Sequence, residues 1–186
     1  MNIMDDNENR YQGGDVKTII IYSSITGNTK KLAHAIYNHK STFDIMAVED
    51  VNDLKAYDRI YLGYWVNRGT ADEATLKLLK DITNKEIAAF GTSGQYSDSP
   101  VSLKYSNSVN DLILSDNVYL GGYICLGKIE ESRTERRLKI AKGEKHYLTE
   151  EGYKRHLESR KHPDEEDIDR LLRWVDSIEE KYEISD

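Results

Sequence analysis

A single cysteine, Cys125, cannot form an internal disulfide or a thiolate metal cluster, and the five histidines are too far apart for zinc-ligand spacing. No structural metal is expected. No apolar run approaches the roughly 20 residues that a spanning helix needs. The mean hydropathy is −0.69, and the start Met1-Asn2-Ile3-Met4-Asp5-Asp6 lacks the basic-then-apolar order of an export signal. A soluble, cytoplasmic protein without a membrane partner is expected. Positive charge is not in surplus either: 26 Lys and Arg stand against 33 Asp and Glu, a net −7. That balance argues against general nucleic-acid binding, which needs an uncompensated basic surface. It suits an acidic protein seeking a basic partner. At 186 residues there is room for one core.

What the chain does have is alternation. Residues 1–16 are polar and read as a flexible tail, leaving residues 17–186 as a single domain. Thr18-Ile19-Ile20-Ile21-Tyr22 is β-branched and aromatic without alternating polarity, the pattern of a parallel strand covered on both faces. A helix from Asn28 follows, with Leu32, Ala33, Ile36 and Tyr37 on one stripe. Further strands are predicted over 43–48, 59–63, 87–91 and 118–125. Between them, Thr70-Ala71-Asp72-Glu73 has the form of a capping box before a helix carrying Leu76, Leu79 and Ile82. A weaker helix over 103–114 should turn Tyr105, Val109 and Leu112 inward. The last helix is predicted to begin with Pro163 at its first position, followed by an apolar stripe from Ile168 to Ile178. Strands alternating with helices imply an α/β fold, a doubly wound five-stranded parallel sheet of order 2-1-3-4-5 with helices on both faces.

Residues 128–162 interrupt this pattern. They hold eleven basic and seven acidic side chains, net +4, against −11 for the remainder. The segment reads as a charged insertion on the rim, too polar to hold a core. Its expected role is to meet a protein partner and not to build the ligand site.

In open α/β sheets ligands bind beyond the carboxyl ends of the strands, where the strand order reverses, which directs attention to the loop after the first strand. It reads Ser23-Ser24-Ile25-Thr26-Gly27-Asn28-Thr29. Hydroxyls, a glycine and a helix N-terminus can together surround a phosphate with neutral donors. The Gly-Lys-Ser/Thr of a nucleoside-triphosphatase loop is missing, as is the G-x-G-x-x-G of dinucleotide folds. A terminal monoester phosphate, bound and left intact, is the better match. An ordinary capped turn is the bland alternative.

Ser24 to Thr29 resembles the flavodoxin signature T/S-x-T-G-x-T, and two further segments strengthen the resemblance. Gly63-Tyr64-Trp65-Val66-Asn67-Arg68-Gly69-Thr70 looks like the flavin-flanking loop after strand three, and Gly91-Thr92-Ser93-Gly94-Gln95-Tyr96-Ser97-Asp98 like that after strand four. His162-Pro163-Asp164 is similar to a feature of some flavodoxin-like branches. The resemblance implies FMN as cofactor. Ser23, Ser24, Ile25, Thr26, Gly27, Asn28 and Thr29 would then enclose its phosphate, while Trp65, Val66, Asn67, Arg68 and Gly69, and Thr92, Ser93, Gly94, Tyr96 and Asp98, would border the ring. An electron-poor ring calls for aromatic faces, and Trp65 is the first candidate, ahead of Tyr96 and its competitor Tyr64. Arg68 is expected to point outward and Cys125 to be a small buried residue. No residue is assigned a catalytic role, because no nucleophile-base or paired-carboxylate spacing is present. The implied function is a monomeric one-electron carrier between a reductase and an acceptor enzyme, or an accessory donor dedicated to one reductase. An FMN-dependent reductase of quinones or other small molecules on the same fold is the alternative.

Overall fold

The computed structural model describes residues 16–183, so the expected tail, Val16 excepted, lies outside the described residues. Five strands make a parallel sheet: β1 (Thr18–Tyr22), β2 (Asp44–Ala47), β3 (Arg59–Asn67), β5 (Glu86–Ser93) and β6 (Val118–Leu126), in the order β2-β1-β3-β5-β6. A two-residue strand, β4 (Thr70–Ala71), pairs antiparallel with the end of β3. Setting β4 aside, the order is the expected 2-1-3-4-5. Helices α1 (Asn28–His39) and α6 (Glu165–Glu183) cover one face, and α2 (Glu73–Leu79) and α3 (Pro100–Leu114) the other; α4 (Glu131–Leu138) and α5 (Glu150–Glu158) lie between β6 and α6. Among the described residues no helix is long and apolar enough to cross a membrane.

The uniform apolarity of β1 follows from this layering. Ile20 faces the α1/α6 layer with Tyr61 of β3, while Ile19 and Ile21 face the α2/α3 layer with Ile60 and Leu62. Successive side chains enter opposite layers, and all six are fully buried. Each such side chain contributes on the order of 1.5–3 kcal/mol by leaving water.

Several expected local details are different. Asp72, not Thr70, caps α2 by accepting from Thr75 N at 3.2 Å, because Thr70 is committed to β4. The reciprocal box occurs at α6 instead, where Asp164 and Asp167 each accept the other's backbone N–H, at 2.9 and 3.1 Å. Pro163 therefore precedes α6 and does not open it. Leu112 and Tyr37 are exposed, at 46% and 38%, because Ile113 and Ile36 occupy the inward positions.

At the N-terminal end of the strands, Arg59 pairs with Glu86 and with Glu179 of α6, both at 2.9 Å, and Tyr61 donates to Glu179. All four groups are buried. Burial, then the Glu179 carboxylate, pushes the Tyr61 hydroxyl well above its ordinary range.

Candidate functional site

The opposite, C-terminal end of the sheet carries a cavity of about 240 Å³. Its floor is set by strand register: Trp65 on β3 is paired with Thr92 on β5, so the ends of the two strands reach the cavity side by side. The first-strand loop forms one wall, with Ser24, Ile25, Thr26, Asn28 and Thr29 in the lining. Gly27, at φ 88, is the N-cap of α1 and supplies no side-chain hydrogen bond, so the first-turn amides of α1 have no side-chain cap. An uncapped helix start of this kind favours an anion.

The hydroxyls of this loop have separate tasks. Thr29 is fully buried; its hydroxyl donates to the Tyr64 carbonyl at 3.3 Å and meets Thr92 Oγ1 at 3.0 Å. It joins α1 to β3 and β5. The Thr26 oxygen accepts from Asn28 Nδ2 at 3.2 Å, which leaves its own O–H able to donate elsewhere. Ser23 is turned away from the cavity: it is buried and donates to Asp72 Oδ1 at 2.8 Å.

Trp65 and Val66 line the second wall, but from a strand and not a loop. β3 runs on through Asn67 and folds back into β4 at Arg68-Gly69, whose φ values of 50 and 94 make the two-residue turn that suits a twisted hairpin. The hairpin is fixed at both ends: Trp65 N donates to Asp72 Oδ2 at 3.4 Å, and Ser108 of α3 donates to the Gly69 carbonyl at 3.2 Å. Arg68 is exposed at the tip, as expected. Tyr64 drops out as a competing aromatic, because its buried ring packs where a Cβ on Gly91 would come within 2.5 Å of it. Thr92, Ser93 and Gly94 supply the third wall. Ser23, Gly27, Asn67, Arg68, Gly69, Tyr96 and Asp98 lie outside the lining, and Tyr96 is 40% exposed.

The fourth wall was not anticipated. Gly127, Lys128, Ile129, Glu130 and Arg133 line the same cavity, so the charged segment helps to build it. Asn28 Nδ2 donates to the Lys128 carbonyl at 3.0 Å, and Arg155 Nε of α5 donates to the Gly94 carbonyl at 3.0 Å. Nor is the segment without an interior: Thr134, Leu148, Gly152, His156 and Ser159 are buried, and Thr134 Oγ1 lies 2.9 Å from His156 Nδ1. Burial first, then Arg137, Arg155 and Arg133, pulls the His156 imidazole down to about 4. The expectation of a coreless rim element is therefore corrected. Cys125 is fully buried, and burial pushes its thiol well up, away from reactivity.

Comparison with known proteins bears on the family and the fold. A sequence family described as "Flavodoxin domain" matches residues 19–176. A relative from Clostridioides difficile (strain CD3), the flavodoxin-like domain-containing protein BilS, is 36% identical over 161 residues, covering 82% of this chain and 90% of its own. An archaeal flavodoxin superposes with a TM-score of 0.56 at 19% identity, over 89% of this chain and 98% of its own. A flavoprotein from Lactobacillus acidophilus NCFM, solved in complex with FMN, superposes at 0.50 with 19% identity, over 65% and 97%.

Proposed function

The chain belongs to the flavodoxin family, and from that premise we propose that it holds FMN noncovalently and, as a monomer, passes single electrons between a reductase and an acceptor oxidoreductase. The observation that carries this is the convergence, on one cavity, of the Ser24 and Thr26 hydroxyls, the uncapped start of α1 and the Trp65 side chain. The donor set fits the cofactor. Hydroxyls and first-turn amides suit a monoester phosphate, and a half-buried indole supplies an aromatic face for the ring.

When bound, FMN supplies the one-electron redox chemistry; the chain binds, orients and shields it. Asn28 occupies one acceptor position of the Thr26 oxygen, which leaves the hydroxyl proton available to a ligand. Thr29 locks the loop to both neighbouring strands, which keeps the spacing between the phosphate end and the Trp65 wall constant. Trp65 keeps water from one side of the cavity. The outer faces of α4 and α5, with exposed Arg136 and Lys154 on the helices and Lys139 just after α4, are the surface assigned to the redox partners.

Stopped-flow mixing of the FMN-loaded protein with NADPH tests the carrier role. Reduction should be negligible over seconds and become fast when a catalytic amount of a flavodoxin reductase is added. Rapid direct reduction would overturn the carrier role in favour of a stand-alone FMN-dependent reductase.

A further inference from the structure

We propose that Lys128 and Arg133 are anion-recognising residues of the cofactor site, their side chains meeting the terminal phosphate of FMN, so that two cations supplement a loop otherwise made of neutral donors. This deepens the FMN reading above and rests on it. Three observations carry it. The segment is held against the hydroxyl loop, because one amide, Asn28 Nδ2, donates both to Thr26 Oγ1 at 3.2 Å and to the Lys128 carbonyl at 3.0 Å. Ile129 lies against Gly94 of the third wall, so residues 128 and 129 touch two walls of the cavity in succession.

The second observation is charge without a counterpart. Ion pairs within the segment join Arg160 to Glu131, Lys154 to Glu150 and Lys161 to Glu158. Among the described residues, neither Lys128 nor Arg133 has a carboxylate at ion-pair distance, and Glu130 is the one acid in the cavity lining.

The third is crowding of like charge. Burial first, and then the charges of Arg133 and Arg155, hold the Arg137 guanidinium below its ordinary value. Of these three arginines Arg133 lines the cavity, so an anion bound there would offset positive charge that its neighbours add to. Lys128 and Arg133 are the two cations that actually line the cavity.

Titration of FMN and of riboflavin into the flavin-free protein, at about 0.05 M and 0.5 M salt, tests this. Lys128→Gln and Arg133→Gln should each weaken FMN binding on the order of tenfold, as loss of a charge-assisted contact does. Riboflavin affinity should stay within about twofold, and the salt sensitivity of FMN binding should flatten in the double variant. Arg133→Lys should recover most of the affinity, which separates charge from folding. Equal losses for FMN and riboflavin, or FMN binding indifferent to all three substitutions, would overturn the assignment. Failure of the underlying reading looks different: wild-type protein would then bind riboflavin as tightly as FMN.

Discussion

Thr26 and Thr29 stand three residues apart in one motif, yet only Thr26 has a hydroxyl free to reach a ligand. Thr26→Ala should therefore weaken FMN by about 1–3 kcal/mol while leaving the melting temperature of the flavin-free protein unchanged. Thr29→Ala should lower that melting temperature too, since it strips a buried hydroxyl from the Tyr64 carbonyl and Thr92. Paired flavin titrations and thermal melts on the two variants check the division. The motif made the loop legible, because hydroxyls and a glycine before a helix have few other uses after a first buried strand. It could not reveal which hydroxyl turns inward, as that depends on the register that sets Thr92 beside Trp65.

For α4 and α5 the sequence was least informative, and the reason is chemical. Their shared interior contains one aliphatic side chain, Leu148, among Thr134, Gly152, His156 and Ser159, so no apolar stripe announces it. A histidine in such a place makes the pair acid-sensitive. His156 faces Arg133 and Arg137 of α4 and Arg155 of its own helix, and its folded value of about 4 lies below the ordinary value of 6.5. As pH falls, the unfolded form takes up the proton first. The stabilisation is complete above about 6.5 and is lost as pH drops towards about 4. Hydrogen exchange in α4 and α5, corrected for intrinsic rates, should accelerate between pH 7 and pH 5, and His156→Gln should flatten that dependence. Unchanged protection across the range would contradict it.

Across the whole molecule the sheet separates two kinds of work. The buried group of Arg59, Tyr61, Glu86 and Glu179 closes the N-terminal end, and the cavity opens at the other. Arg59 and Trp65 are six positions apart on β3, about 20 Å at strand rise. Glu179→Ala should cost about 3–5 kcal/mol of stability by leaving Arg59 and Tyr61 in a broken network. FMN affinity of the folded fraction should be unaltered, a separation that chemical denaturation alongside flavin titration would measure. Alternating elements and a doubly buried first strand were enough to order the sheet, because parallel strands joined through helices have few ways to wind. The charged group escaped notice for the opposite reason: Arg59, Glu86 and Glu179 share no motif and meet only after the winding is complete.

The Asn28 amide that reaches the Lys128 carbonyl joins positions 100 residues apart at the mouth of the cavity. In terms of time its weight falls on the bound state, because it ties two walls of the cavity together. Asn28→Ala should raise the dissociation rate of FMN several-fold while the association rate changes little, the usual way in which a rim contact expresses itself. Dilution of the FMN-loaded protein well below its dissociation constant, with the return of free-flavin fluorescence followed by stopped flow, would show the residence time shorten; an unchanged residence time would contradict this role for Asn28.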